Sequence, residues 1–321
     1  MFAYLSQVAQ RSWRMFLTVA KIMVPVLFIV HLADQLGLVT WIAQLLSPVM
    51  ALLHLPPEAG IVWVTTILTN IYGGIATLGA LSDSLSLNAA QLSALGAMML
   101  IAHNLPMEQA IAQRAGASAF ITGALRIGVA MIYGAFVTWT LSAMNVLADP
   151  VNLSWLSTEI PKEDLGFFDA WGVWLIGTLR TLGMTALIIT MLVVILDLLE
   201  RVGFTRLLAK ALTPLLRLSG LDQRVAPVTT VGVLLGLSYG GALIIEEAQK
   251  SNFDAKTRLL ALSWLSLSHS LIEDTLLIAA LGADVWIILA GRVAITLIVM
   301  AVMAWILKRM QFGSRTVTPL H

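Results

Sequence analysis

The sequence predicts an all-α polytopic membrane protein, and three observations carry this prediction. Apolar runs of about 20 residues recur along the chain, the length that a helix needs to cross a bilayer. Of the 321 residues, 59% are hydrophobic and 12% are charged, whereas a soluble chain carries roughly a quarter charged residues. The runs do not alternate apolar and polar residues as the strands of a membrane barrel do, so helices are favoured.

The charge balance and the missing cysteines exclude several classes of function. The formal net charge is +1 and the chain contains no cysteine. A balanced charge offers no basic surface for nucleic acid, so we expect no nucleic-acid partner. The lack of cysteine excludes disulfides, thiolate metal ligands and cysteine nucleophiles. The apolar run at 15–33 is too long for a signal peptide and lacks a small-residue cleavage site, so it is read as the first membrane helix.

The chain resembles itself at an offset of about 166 residues. The residues that recur are polar or small, and such residues are rare within apolar helices. The matching pairs are Arg14 and Arg180, Gly37 and Gly203, Pro48 and Pro214, His103 and His269, Leu105 and Leu271, Gly116 and Gly282, Arg126 and Arg292, and, with a one-residue shift, Tyr72-Gly73-Gly74 and Tyr239-Gly240-Gly241. This many coincidences indicate an internal repeat.

Each half has the same predicted parts in the same order: a long apolar helix, an amphipathic segment, an apolar stretch with a polar centre, an interrupted helix and a final helix. In the first half they span 12–33, 39–54, 58–82, 89–113 and 116–142, and in the second 170–199, 204–218, 225–249, 256–280 and 284–307. The predicted units are a first repeat at 1–145, a periplasmic connection at 146–169, a second repeat at 170–310 and a cytoplasmic tail at 311–321.

The apolar stretch with the polar centre is either one spanning helix or a re-entrant hairpin, with its tip at Asn70–Gly74 or Ser238–Gly241. Residues 34–58 contain no Lys or Arg, whereas the matching residues 200–224 contain five. The two amphipathic segments therefore lie on opposite sides of the membrane, which requires an odd number of crossings per half. We predict an inverted structural repeat of six transmembrane helices, two re-entrant hairpins and two interfacial amphipathic helices.

The remaining loops agree with this topology. With the N-terminus inside, fourteen basic residues face the cytoplasm and only Lys162 lies outside. Excess positive charge marks the cytoplasmic side. We therefore expect a multi-pass protein of the bacterial inner membrane with both termini cytoplasmic.

Inverted repeats with broken helices are typical of secondary transporters, whose sites lie near the midplane between the halves. Pro106 disfavours a continuous helix just after His103, whereas the second half has Ser268-His269-Ser270 without a proline. Glycine pairs are expected to let the chain turn at the hairpin tips. The candidate substrate-binding residues are Asn70, Tyr72, Gly73, Gly74, Thr77, His103, Asn104, Ser238, Tyr239, Gly240, Gly241, His269 and Ser270.

The roles of the aromatic candidates stay open at this point. Histidine titrates near physiological pH, so His103 and His269 are either proton relays or hydrogen-bonded core residues. Tyr72 and Tyr239 either contact a substrate or fill the tips by packing.

Ionisable residues inside a membrane are costly and mark functional positions. The candidates for coupling or gating are Glu108, Arg126, Glu246, Glu247, Glu273, Asp274 and Arg292. The two arginines are either an anion-binding pair or ties to an acid of the same half, Glu108 for Arg126, and Glu273 or Asp274 for Arg292. Glu246 and Glu247 have no acidic counterpart in the first half, which favours a role in coupling.

Metal binding is a further alternative, because each histidine is followed by an acid four or five residues later, a spacing that can bring ligands together. Without cysteine, such a site would favour harder divalent ions. We nevertheless expect no metal and no cofactor. Nothing in the chain resembles a Ser-His-Asp triad, a phosphate loop or a zinc-protease motif, so we do not expect an enzyme.

The order of segments resembles the nucleoside-recognition, or Gate, domain family, which includes concentrative nucleoside transporters, the membrane part of ferrous iron transporter B and the spore maturation proteins. The segment Asn70-Ile71-Tyr72-Gly73-Gly74-Ile75-Ala76-Thr77-Leu78-Gly79 is similar to the tip of the spore maturation proteins. The resemblance covers residues 12–307, approximately, and rests on the order of the segments. The tip motif expected of nucleoside transporters is absent, as are the cysteines and GTPase domain of the iron transporter, so neither substrate carries over.

We therefore predict a secondary-type transporter of a small polar or anionic solute, with a nucleoside-like solute and proton coupling as the specific options. Its site is expected at the midplane between the two hairpin tips. The alternative is a non-transporting scaffold or sensor that recruits a cytoplasmic partner through the basic segment 201–224. The expected partners are the lipid bilayer and a small-molecule solute, and a homo-oligomer is left open.

Overall fold

The computed structural model describes residues 2–156, 167–221, 225–235 and 255–315. These residues are almost entirely helical, and the pairing between strands within them is limited to an isolated bridge that joins Asn88 and Pro150. The second predicted tip, Ser238–Gly241, lies outside the described residues, as do Glu246 and Glu247. The other candidate residues lie within the described ranges.

The first half contains a helix for each predicted part, with breaks inside two of them. Its helices are α1 (Phe2–Gln35), α2 (Leu38–Leu52), α3 (Pro57–Leu68), α4 (Ile71–Ala80), α5 (Ala89–Ile101), α6 (Leu105–Arg114) and α7 (Ala119–Met144). The polar centre at 69–70 separates α3 from α4. The predicted interruption near His103 separates α5 from α6.

The second half repeats this order as far as the structure describes it. Its helices are α8 (Phe167–Arg201), α9 (Phe204–Leu218), α10 (Ala226–Leu235), α11 (Ala255–Ser268), α12 (Glu273–Ala279), a π-helix (Trp286–Gly291) and α13 (Arg292–Arg315). The break at His269 therefore forms without a proline.

Four of the described helices are long and apolar enough to cross a membrane. They lie in α1, α7, α8 and the π-helix with α13; the pair α2 and α3, bent by 98°, counts as a fifth if it forms one span. Large apolar side chains point outward from these helices, including Ile29 (61% exposed), Phe120 (83%) and Ile176 (63%). Such exposed apolar surface marks contact with lipid or a partner, and the chain is a multi-pass helical membrane protein.

Asparagine and serine side chains begin several of these helices. Asn70 accepts a hydrogen bond from the Gly73 amide at the start of α4. Asn88 and Gln91 form a reciprocal capping box at the start of α5, and Ser118 accepts from the Ile121 amide at the start of α7. These bonds satisfy amides that the first helical turn leaves unpaired, so short helices can begin inside an apolar chain.

Backbone geometry recurs at the 166-residue offset. Gly37 and Gly203, which precede α2 and α9, have φ angles of 69° and 74°. Asn104 and Ser270, one residue after each histidine, both have a φ of 48°. A left-handed residue ends a helix, so this conformation produces the break in the second half, where no proline stands.

Gly73 and Gly74 do not make the turn at the first tip, and the expectation that they do is wrong. Both lie in the first turn of α4, and neither has a positive φ. Their role is close packing: a Cβ atom on Gly74 would lie 1.9 Å from Thr66 Oγ1 and 2.8 Å from Met99 Cε. The glycines therefore allow α4 to approach α3 and α5.

The π-helix also depends on a glycine. Tyr133 of α7 donates its hydroxyl hydrogen to the Ile287 carbonyl over 2.8 Å. A Cβ atom on Gly291 would lie 1.8 Å from Tyr133 Oη. The wide π turn thus accepts a side chain from α7, and this bond joins the final helices of the two halves.

We expect Gly291→Ala to displace the Tyr133 hydroxyl and to lower the free energy of unfolding by about 1 kcal/mol, the net value of one hydrogen bond. Unfolding in detergent measures the change. Gly183→Ala on α8 is the matched control, because nothing lies within 4 Å of its added Cβ. In a Tyr133→Phe background the loss should shrink, and equal losses for the two glycine variants would contradict the assignment.

Candidate functional site

The two helix breaks face each other, one from each half. His103 follows α5 and His269 follows α11, and their Nε2 atoms are 2.9 Å apart. Both side chains are buried, with residue exposures of 5% and 2%. The two breaks that the sequence predicts separately therefore form one site.

Each imidazole is held by the helix that it ends. His103 Nδ1 lies 3.0 Å from the Met99 carbonyl oxygen, and His269 Nδ1 lies 2.8 Å from that of Leu265. The last carbonyls of a helix have no partner within it. Each histidine therefore satisfies such a carbonyl and turns its Nε2 toward the other half.

Glu108 of α6 joins the two histidines. Its Oε1 lies 3.0 Å from His269 Nε2 and 3.4 Å from His103 Nε2. Its Oε2 accepts a hydrogen bond from Arg126 Nη1 in a buried ion pair. Asp274 of α12 is next in distance, with Oδ2 3.9 Å from His103 Nε2.

Two fully buried arginines donate hydrogen bonds to the backbone carbonyls at the breaks. Arg126 Nε and Nη2 donate to the carbonyls of Ile101 (2.7 Å) and His103 (2.9 Å). Arg292 does the same at the offset of 166, with 2.9 Å to Leu267 and 3.1 Å to His269. A cation at a helix C-terminus is favoured by the helix dipole, so each arginine caps the break of its own half.

The two arginines differ in their acidic partner. Arg126 pairs with Glu108, as one of the two sequence interpretations has it. Arg292 makes no salt bridge with Glu273 or Asp274, and its Nη1 has no hydrogen-bond partner in the part of the chain that the structure describes. Of the two arginines, Arg126 forms a direct ion pair with an acid of its own half and Arg292 does not.

Glu108 contacts the histidine of its own half, as the sequence spacing suggested, and also the histidine of the other half. His269 meets Glu108 of the first half, and Asp274 of the second half comes closest to His103. Spacing alone suggested Glu273 or Asp274 for His269. The structure differs because the breaks face each other, which brings α6 and α12 beside the opposite histidine.

A cleft of about 440 Å³ is lined by residues of α1, α4 and α12, and His103, Glu108 and His269 are not among them. It joins Tyr72 of α4 to Glu273 of α12. Its other lining residues lie on α1: Arg11, Arg14, Met15, Thr18 and Val19. From the sequence, both arginines belong to the fourteen basic residues of the cytoplasmic side, and Arg14 is also the match of Arg180. Arg14 and Thr18 follow Arg11 by three and seven residues, which puts all three on one face of α1. This spacing could have identified them as lining residues.

The remaining described candidates support the breaks without entering the cluster. The backbone N–H of Asn104 donates to the Thr66 carbonyl over 3.0 Å, and the backbone N–H of Leu271 donates to the Val233 carbonyl over 3.1 Å. These bonds fix the ends of α3 and α10 against the breaks. Thr77 is buried and donates to the Gly73 carbonyl within α4.

Comparisons with known proteins agree with the resemblance stated from the sequence. Residues 16–148 match the model of the Gate family, described as nucleoside recognition. The chain is 28% identical over 295 residues to the uncharacterized membrane protein YvoD of Bacillus subtilis (strain 168), and the match covers 88% of this chain and 87% of that protein. No solved structure matches the chain.

Proposed function

Because residues 16–148 match the Gate, or nucleoside recognition, family, we propose that this protein is a secondary-type membrane transporter of a small polar solute. The observation that carries the proposal is the cleft that joins α4 of the first half to α12 of the second. Its volume of about 440 Å³ is within the roughly 300–1,000 Å³ range of small-molecule sites.

The lining of the cleft favours a solute with an anionic group and hydrogen-bonding groups. Arg11 and Arg14 supply positive charge, and both side chains are exposed. Tyr72 supplies a hydroxyl, and Glu273 supplies a carboxylate that can accept from a solute donor or take up a proton. A nucleoside-like solute and proton coupling through Glu273 fit this set of groups.

Arg126 does not fit the anion-binding role considered from the sequence. Arg126 uses all three of its nitrogen positions on Ile101, His103 and Glu108. A solute would have to displace bonds that hold the break together. The arginines that line the cleft are those of α1, whereas Arg292 does not line it and keeps its Nη1 without a hydrogen-bond partner in the described part of the chain.

The proposed architecture is an inverted repeat of six spanning helices and two hairpins, with both termini in the cytoplasm of a bacterial inner membrane. The equivalent arginine caps and left-handed residues at a constant offset support a two-fold relation between the halves. The lack of basic residues at 34–58 against the five at 200–224 supports opposite orientations. A solute site between such halves is the arrangement of secondary transporters.

A ligand screen with cleft variants tests the function. We expect a nucleoside or small organic anion to raise the melting temperature of the purified protein. Arg14→Gln and Glu273→Gln should each weaken this ligand about 10-fold, the effect of losing one charged hydrogen bond of about 1.4 kcal/mol. Arg217→Gln, an exposed arginine of α9 away from the cleft, is the matched control and should not change the affinity.

Uptake of the same ligand into proteoliposomes, with and without a proton gradient, completes the test. A ligand that binds but is never taken up would contradict transport and favour the sensor alternative. The scaffold alternative requires a cytoplasmic partner for the basic helix α9, whose Lys210 and Arg217 are exposed. Reversing these two charges would then abolish function with binding at the cleft unchanged.

A further inference from the structure

The two histidines present lone pairs to each other. A carbonyl oxygen can only accept a hydrogen bond, so the Nδ1 atoms that face Met99 and Leu265 carry the hydrogens. A neutral imidazole has one N–H, and both Nε2 atoms are therefore acceptors. They lie 2.9 Å apart, with Glu108 Oε1, a third acceptor, 3.0 and 3.4 Å away. Three facing acceptors in a buried site are satisfied by a proton or a metal cation between them.

The distances between these three atoms match the distances between neighbouring ligands of one metal ion. Nitrogen and oxygen ligands bind a divalent transition metal at about 2.1 Å, so two ligands are about 3.0 Å apart at a right angle and about 3.4 Å apart at the tetrahedral angle. The observed separations are 2.9, 3.0 and 3.4 Å. His103, Glu108 and His269 also form the one group of potential ligands found among the described residues.

The surroundings orient all three groups for binding. A metal-bound histidine usually donates its other N–H to a carbonyl or carboxylate, which fixes the ring. Both histidines do so at the ends of α5 and α11. Arg126 holds Oε2 of Glu108 and leaves Oε1 toward the imidazoles. Arg126 is thus a positioning residue, and Asp274, 3.9 Å from His103 Nε2, can supply a fourth ligand with a small movement.

We propose that His103, His269 and Glu108 bind one divalent first-row transition metal ion, such as Zn²⁺, Fe²⁺ or Co²⁺, between the two helix breaks. Two neutral imidazoles select these ions over Mg²⁺ and Ca²⁺, which prefer oxygen ligands. The charge of Glu108 is offset by Arg126, so the ion is held more by nitrogen lone pairs than by net charge. The ion joins α6 of the first half to the break of the second, and the site stands whether or not the cleft carries a solute.

Metal analysis of the full-length protein tests the site directly. The protein is purified without an affinity tag, stripped with a chelator, loaded with excess Zn²⁺ or Co²⁺ and desalted. We expect about one ion per chain and visible absorption of a nitrogen- and oxygen-ligated Co²⁺. His269→Ala should remove at least nine-tenths of the bound metal, and Glu108→Gln should weaken binding at least 10-fold. Mg²⁺ at the same concentration should not compete.

His54→Ala is the matched control, because His54 is exposed and lies far along the chain from both breaks; it should retain full metal content. Wild-type protein that keeps no Zn²⁺ and no Co²⁺ after loading would overturn the proposal without relying on any variant, and would leave a shared proton as the centre between the histidines. Equal metal content in the wild type and His269→Ala would overturn it as well. Neither result depends on solute uptake, so the transport proposal stands or fails separately.

Discussion

Replacement of Arg126 by methionine is expected to lower the free energy of unfolding by about 3–5 kcal/mol, the usual result of removing one partner of a buried ion pair. Arg126 is fully buried, and its loss leaves the Glu108 carboxylate without its cation. The carbonyls of Ile101 and His103 also lose their donors. Chemical unfolding of the chelator-treated protein in mixed micelles measures the change without a contribution from bound metal.

Arg292 offers a matched comparison inside the same molecule. It donates to the equivalent carbonyls of Leu267 and His269 but makes no salt bridge with an acid of the described chain. Arg292→Met should therefore cost less than Arg126→Met, and the difference isolates the ion pair. In the Arg126→Met background, Glu108→Gln should restore stability because it removes the unpaired charge. Equal losses for the two arginine variants, or no recovery in the double variant, would contradict the assigned role of the ion pair.

Gly74→Ala is expected to lower the free energy of unfolding by about 1–3 kcal/mol, the usual cost of overpacking a filled site. The added Cβ would meet the Thr66 hydroxyl at 1.9 Å. That hydroxyl cannot move freely, because it donates to the Val62 carbonyl over 2.7 Å. The variant should push α4 away from α3, and with it Tyr72 of the cleft. Loss of ligand-induced thermal stabilisation should accompany the loss of stability.

Gly128→Ala on α7 controls for helix propensity, because nothing lies within 4 Å of its added Cβ. Alanine is the better helix former by about 1 kcal/mol, so this variant should be neutral or slightly stabilised. Thr66→Ala removes the atom that the new Cβ meets, and it should recover part of the stability of Gly74→Ala. If Gly74→Ala behaves like Gly128→Ala, the tip is not closely packed and Tyr72 is positioned by something else.

The sequence could predict the breaks but not the direction in which they face. Pro106 and the polar residues around His103 indicate where α5 must stop, because these are local properties of the backbone. The match between His103 and His269 indicates an equivalent break in the second half. Which side chains then meet depends on how α5 and α11 pack. Within-half spacing suggested an acid of the second half for His269, and the structure instead provides Glu108.

The cleft shows the same difference between what the sequence predicts and what the packing of helices decides. Tyr72 and Glu273 were candidates from their own segments, and a site between the halves was expected, but the sequence does not indicate that these two residues line one space with α1. Composition assigns Arg11 and Arg14 to a membrane boundary. It does not indicate that a cavity lies beside them. The glycines were assigned to a turn, whereas their packing role depends on Thr66 and Met99, which lie on other helices.

The sequence by itself determined that the chain is a helical multi-pass membrane protein, where its helices break, and that its two halves are related. Each of these follows from local composition and periodicity, since a bilayer requires long apolar helices and leaves few places for polar residues. Only the tertiary structure decided that His103, Glu108 and His269 converge with their acceptor atoms facing one another. Convergence is a property of packing between distant segments: each arginine fixes the helix end of its own half, and the packing of α5 against α11 brings the two ends together.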